Sequence, residues 1–234
     1  MGCELCLEGA TKRGGIFFGI RREVDPVEAL VSICRQQLRA TGSTPAQRRR
    51  LPAMTSDLYG DLRHTPPPLD VPDRVLAIGA HPDDIEFGAG GTLARWAADG
   101  ADITMLIVTD GSKGTWEPDR DPAQLAAERQ QEQVAAAATL GAGRVIHLAE
   151  VDGELEVSMR LRERLCLAIR RAQPDVLLTH DPWQRYQLHP DHRATGTVAL
   201  DAVVAARDPL FFPDQGINPH RPAAVLLWLS LIHI

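Results

Sequence analysis

Arg74-Val75-Leu76-Ala77-Ile78-Gly79-Ala80-His81-Pro82-Asp83-Asp84-Ile85 is the stretch whose reading decides the fold. The apolar run from Val75 to Ile78 is too short for a helix and does not alternate with polar residues, so it reads as a strand buried on both faces. It gives out at a histidine followed by proline and two carboxylates. Similar short runs recur at residues 103–109, 144–148 and 175–179, with a fifth candidate at 223–229. Between them apolar residues return at helical spacing: Leu93, Trp96, Ala97 and Gly100, then Leu161, Leu165, Ala168 and Ile169, then Val198, Ala202 and Ala205. Asp121-Pro122 opens a further helix that Gly141 closes, and Ser158 caps the one that stops near Pro174. Strands and helices in alternation predict an α/β, Rossmann-like single domain, a mostly parallel sheet with helices on both faces.

Composition narrows the partners. With 44% hydrophobic residues in 234, the chain can bury one substantial core. Its formal charge of -6 excludes broad electrostatic attachment to nucleic acid or to an anionic membrane, which leaves a neutral or polar small molecule as the favoured partner. Cys3, Cys6, Cys34 and Cys166 are too scattered for a disulfide framework and fit a reducing compartment, hence the cytoplasm. No apolar run reaches the roughly 18 to 20 residues that span a bilayer, and the start lacks a signal peptide's apolar core. Residues 1–70, broken by Gly14-Gly15, Arg48-Arg49-Arg50 and Pro66-Pro67-Pro68, read as a weakly ordered extension in which only residues 26–40 offer a short helix. Residues 71–234 form the predicted domain, with Met54 a candidate natural start. The apolar end, 223–234, lacks a closing helix and suggests truncation. A homo-oligomer is compatible with the chain.

His81, Asp83 and Asp84 fall at the carboxyl end of the first strand, where open parallel sheets bind ligands. A second His-Pro-Asp, in His189-Pro190-Asp191-His192, precedes a helix. Either cluster alone is an ordinary turn or cap. Both together, each beside an element end, point to convergence on a metal ion. Catalytic zinc takes three protein ligands and leaves a position for water, and His81, Asp84 and His192 supply that set, with Asp83 beside a ligand as general base. Two histidines and a carboxylate equally describe a non-haem iron(II) redox site, and the fold also serves nonenzymatic sugar- or nucleotide-binding modules. The additional carboxylate favours hydrolysis. Asp191 either orients a histidine or is a first-turn residue favoured by the helix dipole. Arg129 and Glu132 share a helix face as an ion pair, and His180, ending its strand, reads as lining the pocket. Gly88-Ala89-Gly90-Gly91 is no dinucleotide fingerprint, because Leu93 occupies the third glycine position; the glycines read as letting backbone approach the metal loop. Cys3-Glu4-Leu5-Cys6 has zinc-like spacing but no second pair.

In chain order, Ala80-His81-Pro82-Asp83-Asp84, Thr109-Asp110-Gly111, Arg129-Gln130-Gln131-Glu132 with Leu140-Gly141, and His189-Pro190-Asp191-His192-Arg193-Ala194 resemble the PIG-L/LmbE-like deacetylases over residues 74–229. The resemblance implies a zinc-dependent hydrolase removing N-acyl groups, commonly the acetamide of N-acetylglucosamine conjugates, on a Rossmann-like fold. It implies that His81, Asp84 and His192 bind the metal, zinc or another divalent ion such as Fe2+, that Asp83 is the base, and that His189 is an acid or electrophilic partner. Arg129 and Asp152 become candidate substrate contacts. Tyr186 stands three residues before His189, offset from the tyrosine that relatives use near the oxyanion.

Overall fold

The computed structural model describes residues 70–185 and 187–228. The expectations for the N-terminal extension, its short helix, Tyr186 and residues 229–234 lie outside the described residues. Five strands, β1 (Arg74–Gly79), β2 (Asp102–Thr109), β3 (Arg144–Glu150), β4 (Val176–His180) and β5 (Ala224–Trp228), alternate with helices α1 (Asp84–Ala98), α2 (Pro122–Leu140), α3 (Met159–Ala172) and α4 (Pro190–Ala206). A short 3-10 turn, Pro213–Gln215, precedes β5. All pairings are parallel, in the order β3-β2-β1-β4-β5. The predicted α/β class and all five strands are present, β2 and β3 running slightly longer than the apolar runs alone suggest.

The double burial of β1 has a direct structural cause. Val75 and Ala77 join one core with Ile103, Met105, Ile85, Leu93 and Ala137, under α1 and α2. Leu76 and Ile78 point the other way, into a second core with Leu161, Leu165, Ile169, Val198 and Ala202, under α3 and α4. Alternate residues of one strand thus feed two cores, and no position from Val75 to Ile78 is free to be polar. The helix ends follow the local chemistry of the sequence. Asp121 accepts from the Ala123 N–H at 2.9 Å to start α2, and Gly141 at φ 83 ends it. Ser158 accepts from the Leu161 N–H to start α3.

Chain order places the site. From β1 the sheet grows outward through β2 to β3, then returns to the opposite side of β1 for β4 and β5. The loops after β1 and β4 therefore diverge, opening a crevice at their carboxyl ends. Ile78 pairs with Thr179, so His180 stands level with Gly79, just below the loop that carries His81.

The far end of α4 depends on a buried cation. Arg170 on α3 is only 2% exposed, and its guanidinium donates to the carbonyls of Ala205, Ala206, Asp208 and Phe211. Helix-terminal carbonyls that lack a partner within the helix are satisfied here by one side chain. Arg170→Met keeps the volume and removes the donors; we expect a stability loss of about 3 kcal/mol, read from the urea midpoint, because several buried carbonyls lose their partners together.

Candidate metal centre

Three electron-rich side chains converge at the crevice. His81 Nδ1 lies 3.3 Å from Asp84 Oδ2 and 3.2 Å from His192 Nε2, while Asp84 Oδ1 lies 3.2 Å from His192 Nε2. A zinc ion bound tetrahedrally at about 2.0–2.1 Å separates its ligands by about 3.3 Å. The spacing matches. Two imidazole lone pairs and a carboxylate this close repel unless a cation lies between them, which is the condition that a divalent ion meets. His81, Asp84 and His192 are the residues that would hold it.

The charge around His81 makes the same point. Its Nε2 faces Asp152 Oδ1 at 3.1 Å and Asp191 Oδ2 at 3.2 Å. Burial works against charging this imidazole, yet Asp152, Asp191 and Asp84 outweigh it and push its pKa up to about 11. Its acidic surroundings favour positive charge on or beside this ring. Burial likewise opposes the charge on Asp84, but His180, His192 and His81 keep its carboxyl well below the usual range.

The backbone around these residues is fixed by non-local contacts. Asp83 adopts φ 98, a conformation costly for a residue with a side chain. Its N–H donates to Gln133 Oε1 at 3.0 Å, and Gln133 in turn donates to Glu86 at 2.6 Å. Arg129, one helical turn before Gln133 on α2, donates to the Pro82 carbonyl at 2.6 Å, the Gly111 carbonyl at 3.2 Å and Asp83 Oδ2 at 2.9 Å. Gly111 and Gly114 make room for that guanidinium, since a Cβ on either would lie within 3 Å of it. The Asp83 carboxylate stays half-exposed on the rim. Desolvation by the surrounding loop pushes its pKa up to about 6, against the pull of Arg129.

The second motif caps α4. His189 Nδ1 accepts from the Asp191 N–H at 3.2 Å, so the ring proton of the neutral form belongs on Nε2. Burial and the neighbouring His81 and His192 lower the pKa of His189, favouring that neutral form. Its ring stacks on His192 with centroids 4.8 Å apart. Asp191 is fully buried. One oxygen accepts from the Gly153 N–H at 2.7 Å and the other from the Leu155 N–H at 3.2 Å.

Most of the residues singled out in the sequence therefore meet: His81, Asp83, Asp84, Arg129, Asp152, His180, His189, Asp191 and His192 share one crevice. Several stand in positions other than those expected. His180 does not line the pocket; it is completely buried behind Asp84, with its ring stacked on His192. Asp152 is turned inward, its oxygens facing His81 and the Lys113 N–H. Arg129 reaches Asp83 rather than Glu132. Asp191 does orient a histidine, His81, while also sitting in the first turn of α4. The glycines of residues 88–91 lie inside α1, and Gly88 makes room for the Trp228 ring rather than for the metal loop. Gln133 and Trp228 escaped the sequence reading. Gln133 was detectable as a polar residue four positions after Arg129 on the same helical face.

At the switch point of this parallel α/β sheet, histidines and carboxylates gather closely enough to hold a metal ion. Residues 76–203 match the PIG-L family, described as GlcNAc-PI de-N-acetylase, and the chain belongs to that family. It is 36% identical over 155 residues to the diacetylchitobiose deacetylase of Thermococcus kodakarensis, covering 65% of this chain and 58% of that protein. It is also 36% identical over 174 residues to the 1D-myo-inositol 2-acetamido-2-deoxy-alpha-D-glucopyranoside deacetylase of Streptomyces avermitilis, with coverages of 63% and 58%. The fold is similar to that of N,N'-diacetylchitobiose deacetylase from Pyrococcus horikoshii, solved with an inhibitor: TM-score 0.66, 34% identity, 68% of this chain and 61% of that one. The chain spans less than two thirds of the length of each of these relatives.

Because Asp152 and Asp191 hold the far nitrogen of His81, each should tune the metal without touching it. We expect Asp191→Asn to weaken zinc binding about tenfold or more in a chelator competition, with a smaller loss for Asp152→Asn, since Asp191 is the more deeply buried. Unchanged affinity in both variants would contradict this assignment.

Proposed function

We propose that this chain is a zinc-dependent N-deacetylase acting on an N-acetylglucosamine-type conjugate. The observation that carries the reading is the ligand-spaced trio His81, Asp84 and His192 with the half-exposed Asp83 carboxylate immediately beside it. When bound there, zinc supplies Lewis-acid polarisation of the amide carbonyl and lowers the pKa of water.

The chain's own residues account for the rest. Asp83, with a pKa near 6, is mostly ionised at neutral pH and able to take a proton from the attacking water. Arg129 and Gln133 hold it from two directions, through its side chain and its backbone N–H. His189 keeps its Nε2–H for the substrate because the Asp191 N–H occupies Nδ1. A neutral imidazole donor suits an oxygen that gains negative charge as the carbonyl becomes tetrahedral. A proton accepted by Asp83 then goes to the departing amine, which would otherwise be a poor leaving group.

A neutral amino sugar fits a protein of net negative charge. Both curated relatives quoted above are named as deacetylases of N-acetylated sugars. Among the described residues, no helix is long and apolar enough to cross a membrane. Cytoplasmic residence belongs to the same reading.

Asp83→Asn separates binding from chemistry. We expect it to keep stoichiometric zinc while kcat for amine release from N-acetylated chitobiose falls by roughly a hundred- to ten-thousandfold, whereas His81→Ala should lose zinc as well. Full activity in Asp83→Asn would remove the base from the mechanism. Oxygen consumption by an iron-loaded sample, with no amine released, would replace hydrolysis by redox chemistry.

A further inference from the structure

His180 is fully buried, ends β4, and is flanked by donors on both ring edges. The Trp228 indole N–H lies 3.2 Å from His180 Nδ1, and the Ala80 N–H lies 3.1 Å from Nε2. Nε2 is also 3.2 Å from Asp84 Oδ2. An imidazolium would point N–H groups at both donors, so the charged ring is excluded by geometry. The neutral ring has one in-plane lone pair, so only one of the two donors finds an acceptor there. If Nδ1 keeps the lone pair, Trp228 is satisfied and Nε2–H is aimed at the buried carboxylate. If Nε2 keeps it, the Trp228 N–H meets another N–H, and Asp84 faces a lone pair. The first arrangement matches a donor to an anion and leaves only the Ala80 N–H without an acceptor on the ring; the second sets the Trp228 N–H against Nδ1–H and a lone pair against the carboxylate.

We propose that Trp228 is a positioning residue that fixes the tautomer of His180, so that the Nε2–H of His180 holds the Asp84 carboxylate in its metal-binding orientation. Two features of the fold support this relay independently of hydrogen placement. His180 and Trp228 are register partners on adjacent parallel strands, so their side chains share a face, with ring centroids 5.1 Å apart. Gly88 on α1 leaves the space the indole fills, since a Cβ there would lie 2.6 Å from the ring. The Oδ2 that receives His180 also accepts from the His81 N–H at 2.7 Å, so this oxygen is held from two sides while Oδ1 turns to His192. His180 acts here as a donor to Asp84, with the Trp228 and Ala80 N–H groups facing its two nitrogens. The relay rests on the metal-site reading above, and it runs from the last described strand, through β4, to the loop after β1.

The direct test reads the tautomer in the metal-free protein, where the zinc question does not enter. Long-range 1H–15N correlation of His180 should show Nε2 protonated in the wild type and a mixed or Nδ1-protonated ring in Trp228→Phe. In the same pair, zinc affinity measured by chelator competition should fall about tenfold or more in Trp228→Phe. His180→Leu should fall at least as far, and His180→Gln, which restores an N–H donor, should recover part of the loss. An Nδ1-protonated His180 in the wild type, or equal affinity losses in His180→Leu and His180→Gln, would overturn the relay while leaving the metal site standing. A wild-type protein that binds no zinc would instead sink the metal-site reading, and the tautomer spectrum would still judge His180.

Discussion

The structure depends on confining like-charged and electron-rich groups at the point where the sheet changes direction. Asp84, Asp152 and Asp191 lie among four histidines in a crevice that water only partly reaches, with Asp83 on its rim. Left uncompensated, burying carboxylates in this number costs several kcal/mol each. The site offsets that cost with a positive charge at its centre, a proton on His81 or a divalent ion between His81, Asp84 and His192, and with backbone N–H groups from residues 81, 113, 153 and 155. The loops after β1, β2 and β3 each contribute at least one of those donors, which is why the crevice and the fold are specified together.

That dependence separates the roles of two carboxylates one residue apart. Asp84 begins α1, is held by His180 and the His81 N–H, and has its oxygens directed into the protein. Asp83 occupies a backbone conformation that disfavours side chains, and so projects to the rim. The strain at Asp83 is maintained by Gln133 and Arg129, both on α2, a helix otherwise occupied with covering the sheet. A helix that packs the core through Ala137 and Leu140 on one stretch and steadies a reactive carboxylate on another couples core packing to site geometry.

How much of this was legible in the sequence follows from the range of each interaction. Strands and helix caps depend on neighbours within a few residues, so the doubly buried run before His81, the Asp121 and Ser158 caps and the Gly141 stop could all be read directly. The convergence of His81, Asp84 and His192 was legible because His-Pro-Asp occurs twice at element ends, a coincidence that needs no coordinates to notice. The layer behind it was not. Asp152 and Asp191 reach the same nitrogen of His81 from segments far apart in the chain, and the pairing of His180 with Trp228 depends on strand register, which apolar runs do not encode. His180 was misplaced for that reason: position at the carboxyl end of a strand says that a side chain is near the crevice, not whether it faces into it.

The central claim is that one divalent ion is gripped by His81 Nδ1, Asp84 and His192 Nε2. Anomalous diffraction at the zinc edge from zinc-loaded crystals tests it most directly. A single strong peak about 2.0–2.2 Å from these three atoms is the expected result. A peak on the other side of the His81 ring, between Nε2, Asp152 and Asp191, or no peak in the crevice at all, would contradict it.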